Sequence, residues 1–272
     1  MTGAHDAERA RQRLPLGVLV PAVLGLVLLV VPLLALLPRV DWSTLPATLL
    51  SPTARDAVWL SVRTAAAAVV CCLALGVPLA LLIARASPRV AAVLRAVVTL
   101  PLVLPPLVGG VALLSVVGRT GLLGGVLDTL GVTVAFTPWA IVLAQTFVAM
   151  PFLVIALEGS LRAVGARYEA VAATLGARRL TVLRHVTLPL VAPGLLAGVV
   201  LAFTRAIGEF GATALVAGNR PGVTQTVPMA IYTAYNGTGV ARDTALALSL
   251  LLVAVALVIL LLVPAARRRE AL

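Results

Sequence analysis

Six long runs of uncharged and mostly apolar residues constrain this sequence more than any other feature. Each run reaches the roughly 20 residues that an α-helix needs to cross about 30 Å of hydrocarbon. We expect the fourth to start near Thr137, because residues 131–137 are polar and β-branched. The sequence therefore predicts an all-α membrane protein with six transmembrane helices. The runs are Leu14–Leu37, Thr64–Ala84, Ala96–Gly118, Thr129–Leu157, His185–Thr204 (extending past Arg205) and Thr244–Ala266.

Charged residues make up only 11% of the 272 residues, whereas a soluble domain carries about a quarter. So few charges cannot cover a surface that faces water, and a bilayer is the solvent that suits this composition. The first run could be a signal peptide, but its 24 uncharged positions exceed the usual apolar core of about 7–15 residues. No small-residue cleavage site follows it. We interpret it as an uncleaved first span that Pro21 and Pro32 bend.

The arginines predict the orientation of the chain, and all 21 basic residues are arginines. With the N-terminus inside, fourteen lie in cytoplasmic segments and five outside, while Arg63 and Arg205 fall within spans or at their ends. This excess on one side predicts cytoplasmic tails, 1–13 and 267–272, around a six-helix domain of residues 14–266. The net charge of +11 does not indicate nucleic-acid binding, because aromatic residues make up only 4% and the arginines share no common face.

No group of residues indicates an enzyme or a metal site. The chain has no GxxxxGK[ST] loop, so any ATP hydrolysis belongs to a partner subunit. Cys71 and Cys72 are adjacent and form neither a CxxC nor a Cys/His pattern. The two histidines have no acid–base cluster beside them. We expect no catalytic residue, no metal and no cofactor in this chain.

The longest cytoplasmic segment, residues 158–187, keeps a helical pattern where a loop would carry turn residues. Apolar side chains recur at helical spacing with arginines between them, and Gly176 ends the pattern as a C-terminal glycine does. This predicts a short amphipathic helix between spans four and five, with small residues that would let another protein approach closely. The apolar positions are Leu157, Leu161, Val164, Tyr168, Val171, Ala172 and Leu175, and the small ones are Ala170, Ala172 and Ala173.

The run EAVAATLG from Glu169 to Gly176 resembles the EAA loop of ABC importer permeases. The family pattern continues with an aliphatic residue and Leu-Pro at fixed distance, and Val186 and Leu188–Pro189 fall in register. The family's glutamate position is Ala170, with Glu169 one residue earlier. The resemblance implies the type I importer fold and a helix that docks in a groove of the ATP-binding subunit; the alternative is an interfacial helix on the lipid surface. The residues it assigns to docking are Glu169, Ala170, Ala172, Ala173, Gly176 and Ala177.

The third run contains three prolines and two glycines within Leu100–Gly110, which cannot form an unbroken helix. Counted from Arg95, the break falls near the middle of the bilayer. Exposed backbone at that depth is tolerated where protein or a water-filled cavity covers it, and broken helices line the substrate route of many transporters. We predict that Pro105 and Pro106 belong to the translocation pathway. A packing kink with no transport role is the alternative.

The fifth run carries Arg205 and Glu209, four residues apart and so on one helical face. Charges inside a membrane are costly, usually paired and functional by default. At about 1.5 Å per residue, Arg205 lies roughly 24 Å from Pro189, near the outer leaflet. Two interpretations stay open for Arg205. It forms a salt bridge across subunits or to another span, or it faces the pathway and offers a positive site to a passing anion.

Several other stretches resemble the molybdate permease subgroup of the ABC importers. Sulfate permeases match the stretch Phe136–Phe152 about as well, and Phe210–Thr213 favours molybdate. The resemblance covers the second to the sixth span. The stretches are Gly118–Gly125, Phe136–Phe152, Gly208–Gly222 and Thr224–Ala234.

Membership of this subgroup implies an ATP-driven oxyanion importer of the bacterial cell membrane, for molybdate with tungstate inseparable from it. Two copies of the chain would form the pathway, two ATP-binding subunits holding ATP and Mg would dock below, and an extracytoplasmic oxyanion-binding protein would dock outside. One alternative is a sulfate or thiosulfate permease. A second, from a different class, is an ion-gradient-driven secondary transporter, for which Glu209 is the only candidate carboxylate.

Overall fold

The computed structural model describes residues 16–165, 167–237 and 241–269, with side chains as far as residue 259 apart from residue 241. Every regular element in those ranges is helical. A 3₁₀ turn, Leu37–Arg39, follows the first helix, and a π-helical turn, Leu183–Thr187, joins α9 to α10. The helices are α1 Leu16–Leu34, α2 Leu45–Leu50, α3 Pro52–Arg85, α4 Pro88–Val103, α5 Pro106–Val117, α6 Gly124–Thr129, α7 Pro138–Val164, α8 Arg167–Thr174, α9 Arg179–Val182, α10 Leu188–Ile207, α11 Gly211–Val216, α12 Val227–Asn236 and α13 Ala241–Arg269.

Five helical stretches are long and apolar enough to cross a membrane, and α4 with α5 makes a sixth if that bent pair counts as one span. The prediction of an all-α chain with six spans is therefore confirmed when α4 and α5 are counted as one broken span. The five are Leu16–Arg39, Pro52–Arg85, Pro138–Val164, Arg179–Ile207 and Arg242–Ile259.

The ends of the spans differ from the predicted ones wherever helical structure continues into charged sequence. α3 begins at Pro52 instead of Thr64, because Ser51 accepts a hydrogen bond from the Ala54 N–H (3.4 Å) and Pro52 occupies the first helical position. The fourth span starts at Pro138, as predicted, but continues past Leu157 to Val164. The fifth helical stretch begins at Arg179, well before His185.

The chain forms two compact units, divided after residue 46. The first contains α1, none of whose residues is buried. The second holds the core and helices α3 to α13, and α2 crosses the division. Its central element is α7, two-thirds of whose apolar window is buried, with α3 and α10 packed against it.

Glycines let α3 and α10 approach α7 closely. A Cβ at Gly198 of α10 would lie 3.2 Å from the Leu153 carbonyl oxygen, and one at Gly194 would overlap Ser160 Oγ. On α3, a Cβ at Gly76 would lie 2.9 Å from Leu153 Cδ2. Gly194 and Gly198 form the small-xxx-small spacing that allows close helix packing in membranes. We call these contacts the glycine seams of α7.

The third run is broken, as predicted, between α4 and α5, whose axes differ by 111°. Leu104 and Pro105 each precede a proline, and both have extended backbone with ψ of 137° and 135°. A residue before proline is disfavoured in the α region, so the helix ends there and α5 restarts with Pro106 as its first residue. Beyond the break, α5 packs against α11. A Cβ at Gly110 would lie 2.9 Å from the Ala212 carbonyl oxygen.

Candidate functional site

The segment between spans four and five holds a short separate helix, α8, as the sequence predicts. The apolar pattern from Leu157 to Leu175 does not form one helix, however, because Gly165 divides it. Its φ of 68° and ψ of 178° are open essentially only to glycine. Leu157 is buried in the core, whereas α8 buries none of its residues. The prediction of one continuous pattern was wrong at this glycine.

Gly176 ends α8 in the way the sequence predicts. Its φ is 81°, its N–H donates to the Ala173 carbonyl (3.0 Å), and the Ala177 N–H donates to the Ala172 carbonyl (3.1 Å). This pair of bonds is the Schellman motif, in which a left-handed residue closes the last turn of a helix. Ala172, Ala173, Gly176 and Ala177 therefore fix where α8 stops.

Glu169 connects α8 to the ends of two spans. Its Oε1 lies 2.9 Å from an Arg85 Nη atom at the end of α3, and it accepts a hydrogen bond of 2.6 Å from Thr187 Oγ1 at the start of α10. We call these two bonds the Glu169 tether. Neither partner could be predicted from the sequence, because they lie 84 and 18 residues away and no local spacing indicates them.

The tether also sets the charge of Glu169. Burial raises the pKa of its carboxyl, but the hydrogen bonds from Thr187 and Arg85 and the charge of Arg85 outweigh burial and hold the pKa below its ordinary value. Because this pKa is lowered, the tether contributes its full stability to the folded state at any pH above the ordinary pKa of a glutamate. That stability is lost only as the pH falls through the lowered pKa of Glu169. The carboxylate is therefore ionised and bonded at neutral pH.

A cavity of about 470 Å³ lies beside α8. Beyond it, α8 exposes apolar side chains at one-turn spacing, Tyr168 (54% exposed), Val171 (56%) and Leu175 (83%). Within the described chain no other helix covers this stripe. The cavity is lined by Arg85, Glu169, Ala170, Ala173, Ala177, Arg179 and Val182.

The predicted pair in span five is bonded within the chain. Arg205 Nη2 lies 2.6 Å from Glu209 Oε2, and Glu209 Oε1 accepts a hydrogen bond of 2.8 Å from the Ala212 N–H at the start of α11. Glu209 is 1% exposed and the Arg205 side chain 29%. The partner of Arg205 is thus Glu209, four residues along the same segment, and not a residue of another span. A bond across subunits and a role in the pathway both stay predictions.

The structure brings the predicted pathway residues into one region. Pro106 contacts Gly211, whose Cβ would lie 2.6 Å from Pro106 Cβ, and Gly211 follows Glu209 by two residues. Proline has no N–H, so the two prolines of the break cannot donate helical bonds to the carbonyl oxygens of Pro101 and Leu102. The carbonyl oxygens of Pro101 and Leu102 and the Arg205–Glu209 pair thus lie on either side of the α5–α11 contact.

A third charged group, which was not among the predicted site residues, joins α4 to α7. Glu158, 5% exposed, binds Arg95 Nε at 2.7 Å and Arg162 Nε at 2.9 Å. The Glu158–Arg162 spacing of four residues was a readable signal, whereas Arg95 is 63 residues away. The part of the chain that the structure describes contains no group of three or more His, Cys, Asp or Glu side chains that could hold a metal ion.

A family model described as the binding-protein-dependent transport system inner membrane component matches residues 76–269. The chain belongs to this family. Among curated relatives, the molybdenum transport system permease protein ModB of Mycobacterium tuberculosis is 53% identical over 240 residues, or 88% of this chain and 90% of the relative. The protein of the same name in Escherichia coli K12 is 40% identical over 203 residues, covering 73% and 89%.

Solved structures show the same fold at low identity. A chain of a bacterial alginate ABC transporter, crystallised with its alginate-bound periplasmic protein, superposes with a TM-score of 0.72 at 18% identity, covering 93% of each chain. The protein is therefore a multi-pass inner-membrane permease with the type I ABC importer fold, and a subunit of a transporter. Membership of the binding-protein-dependent family decides against the ion-gradient-driven secondary transporter.

Proposed function

We propose that this permease imports molybdate, with tungstate as an equivalent cargo. The observation that carries the proposal is the 53% identity to a molybdenum transport permease along nearly the full length of both chains. The 40% identity to the Escherichia coli protein of the same name supports it. A sulfate or thiosulfate permease is the alternative within the same class.

The complete importer, in this proposal, contains two copies of this chain, two ATP-binding subunits and an extracytoplasmic oxyanion-binding protein. ATP and Mg are held by the ATP-binding subunits. The family description names a binding protein, and the alginate transporter was crystallised with one. The exposed stripe of Tyr168, Val171 and Leu175 supports docking of α8 on the ATP-binding subunit, because an apolar stripe of this kind is stabilised by a partner groove.

The Glu169 tether provides a mechanical route from that partner to the spans. A displacement of α8 acts at once on the end of α3, through Arg85, and on the start of α10, through Thr187. The π-helical turn at Leu183–Thr187 lies at this junction, and such turns are frequent at functional sites. We therefore propose that Glu169 is a positioning residue. It makes α8, α3 and α10 move together.

The pathway is proposed to run past the α4–α5 break and the Arg205–Glu209 pair. Pro105 and Pro106 leave carbonyl oxygens without helical donors, and such backbone is stable only beside water or protein. Arg205 keeps part of its side chain accessible, but Glu209 neutralises its charge. A neutralised pair attracts a passing oxyanion weakly, which suits a route that must release its cargo. Selectivity then belongs to the binding protein.

The experiment that tests the function is ATP hydrolysis by the permease reconstituted with its ATP-binding subunit and its binding protein. Molybdate and tungstate should each stimulate hydrolysis at concentrations where sulfate has no effect. Equal stimulation by sulfate would move the chain to the sulfate branch and leave the coupling intact. Failure to associate with an ATP-binding subunit would overturn the docking role of α8.

A further inference from the structure

Arg63 and Arg85 lie at the two ends of the membrane-crossing part of α3. Between them, residues Thr64–Ala84 form 21 consecutive uncharged positions. At 1.5 Å per residue this stretch is about 31 Å long, close to the thickness of the hydrocarbon core. The two guanidinium groups therefore lie at the headgroup levels of opposite leaflets.

The two arginines differ in what neutralises them. Arg85 is bonded to Glu169 at 2.9 Å. Among the described side chains, no carboxylate oxygen lies within 4.0 Å of Arg63, which is exposed. Its guanidinium carbon lies 5.6 Å from the centre of the Trp59 ring, a cation–π arrangement that orients the group and leaves its charge uncompensated. A cation at this level needs a counter-ion from outside the chain.

A groove of about 190 Å³ opens beside Arg63 between α3 and α7. Trp139, in the first turn of α7, forms its rim and is 69% exposed. The hydroxyl of Thr64 donates to the Leu60 carbonyl at 2.9 Å, so the floor is apolar apart from Arg63. The lining residues are Leu60, Arg63, Thr64, Ala67, Pro138, Trp139 and Val142.

We propose that this groove binds a phospholipid of the leaflet opposite α8, with the phosphate on Arg63 and the upper part of an acyl chain in the groove. A cation beside an apolar channel complements an amphiphile with an anionic head, whereas a free phosphate would use the cation alone. Tryptophan side chains at the same level are typical of the membrane interface. The inference rests on the chain being a membrane permease and is independent of which oxyanion it carries.

The test uses fluorescence quenching of Trp139 in the importer assembled with its ATP-binding subunit. Trp42→Phe and Trp59→Phe leave Trp139 as the only tryptophan of this chain and keep an aromatic ring under Arg63. The complex is reconstituted in phosphatidylcholine vesicles that contain either phosphatidylglycerol or a galactolipid, each brominated near the top of its acyl chains. We expect phosphatidylglycerol to quench Trp139 at least twofold more than the galactolipid at equal mole fraction.

Arg63→Gln should reduce the quenching by phosphatidylglycerol to the galactolipid level. Arg55→Gln is the matched control, because it removes the same charge from the exposed face of α3 two turns away, outside the groove, and should change nothing. An unchanged thermal unfolding midpoint shows that Arg63→Gln still folds.

Four outcomes would overturn the proposal. Equal quenching by the two lipids, or quenching that persists in Arg63→Gln, would mean that no phosphate site exists. Loss of the preference on adding inorganic phosphate would assign the site to a small anion instead. Quenching absent in the assembled importer but present in the isolated permease would show that a partner subunit covers the groove. None of these readouts depends on molybdate, so a failure here leaves the proposed transport function standing.

Discussion

Glu209 illustrates how a single buried carboxylate restricts its neighbours. Its two oxygens have separate partners, Arg205 on one side and the Ala212 N–H on the other. Removing Arg205 would leave a carboxyl group that is 1% exposed with only one hydrogen bond. Breaking a buried ion pair by deleting one partner is strongly destabilising, whereas neutral replacement of both partners is often tolerated.

At the residue scale we therefore predict that Arg205→Met lowers the thermal unfolding midpoint of the detergent-solubilised permease. The cost should stay below the about 3–5 kcal/mol typical of a fully buried pair, since Arg205 is partly exposed. The double variant Arg205→Met/Glu209→Gln should recover most of that loss. A double variant no more stable than the single one would show that Glu209 is not destabilised by losing its partner. Transport assayed on the double variant then reports the role of the charge apart from folding.

Residue spacing predicted the short-range pair of Arg205 and Glu209 and missed the contacts between helices. The four-residue interval placed Arg205 and Glu209 on one face, and they are bonded. The Glu169 tether could not be predicted in the same way, because Arg85 and Thr187 meet Glu169 only after three spans have packed. Glu158 and Arg95 were missed for the same physical reason.

At the scale of elements, apolar periodicity predicted which segments are helical and failed to give their ends. A helix continues into polar sequence as long as its backbone bonds are satisfied, so α3 begins twelve residues before the uncharged run. The break between α4 and α5 could be predicted from the sequence, because Pro105 and Pro106 act on the backbone directly. The helix end at Gly165 could not be predicted, because this glycine lies within an apolar repeat that continues on both sides of it.

The Glu169 tether predicts an uncoupled transporter when it is removed. Glu169→Gln and Arg85→Gln should each keep basal ATP hydrolysis and association with the ATP-binding subunit, and lose several-fold in the stimulation that accompanies transport. Arg89→Gln is the matched control, because Arg89 is an exposed arginine four residues away with no ion pair among the described residues.

Hydrolysis and uptake, measured on the same vesicles, separate the possible results. Normal stimulation in both tether variants would remove the positioning role of Glu169. Loss of association would make Glu169 part of the docking surface itself. If Arg89→Gln matched Arg85→Gln, general charge at this end of α3 would be responsible rather than the bond.

At the scale of the whole molecule, the excess of arginines at one end of the spans predicts that both termini are cytoplasmic. The prediction can be checked by labelling single cysteines in a Cys71→Ala/Cys72→Ala background. A membrane-impermeant maleimide should label Arg119→Cys in intact cells and Arg178→Cys only after permeabilisation. The reverse pattern would invert the topology and place α8 on the side away from ATP.

The glycine seams of α7 determine how this permease can change shape. Where backbone meets a neighbour with no room for a methyl group, one helix cannot slide along another, because larger side chains would have to pass through a gap sized for hydrogen. We therefore expect α3, α7 and α10 to move together, with the motion absorbed at the breaks in helical structure, between α4 and α5 and at residues 208–210. Opening and closing of the pathway would then be a rigid-body rotation of this group of helices about two hinge regions. The size of the largest cargo that passes is then set by how far the packed helices rotate, because the contacts between them do not loosen.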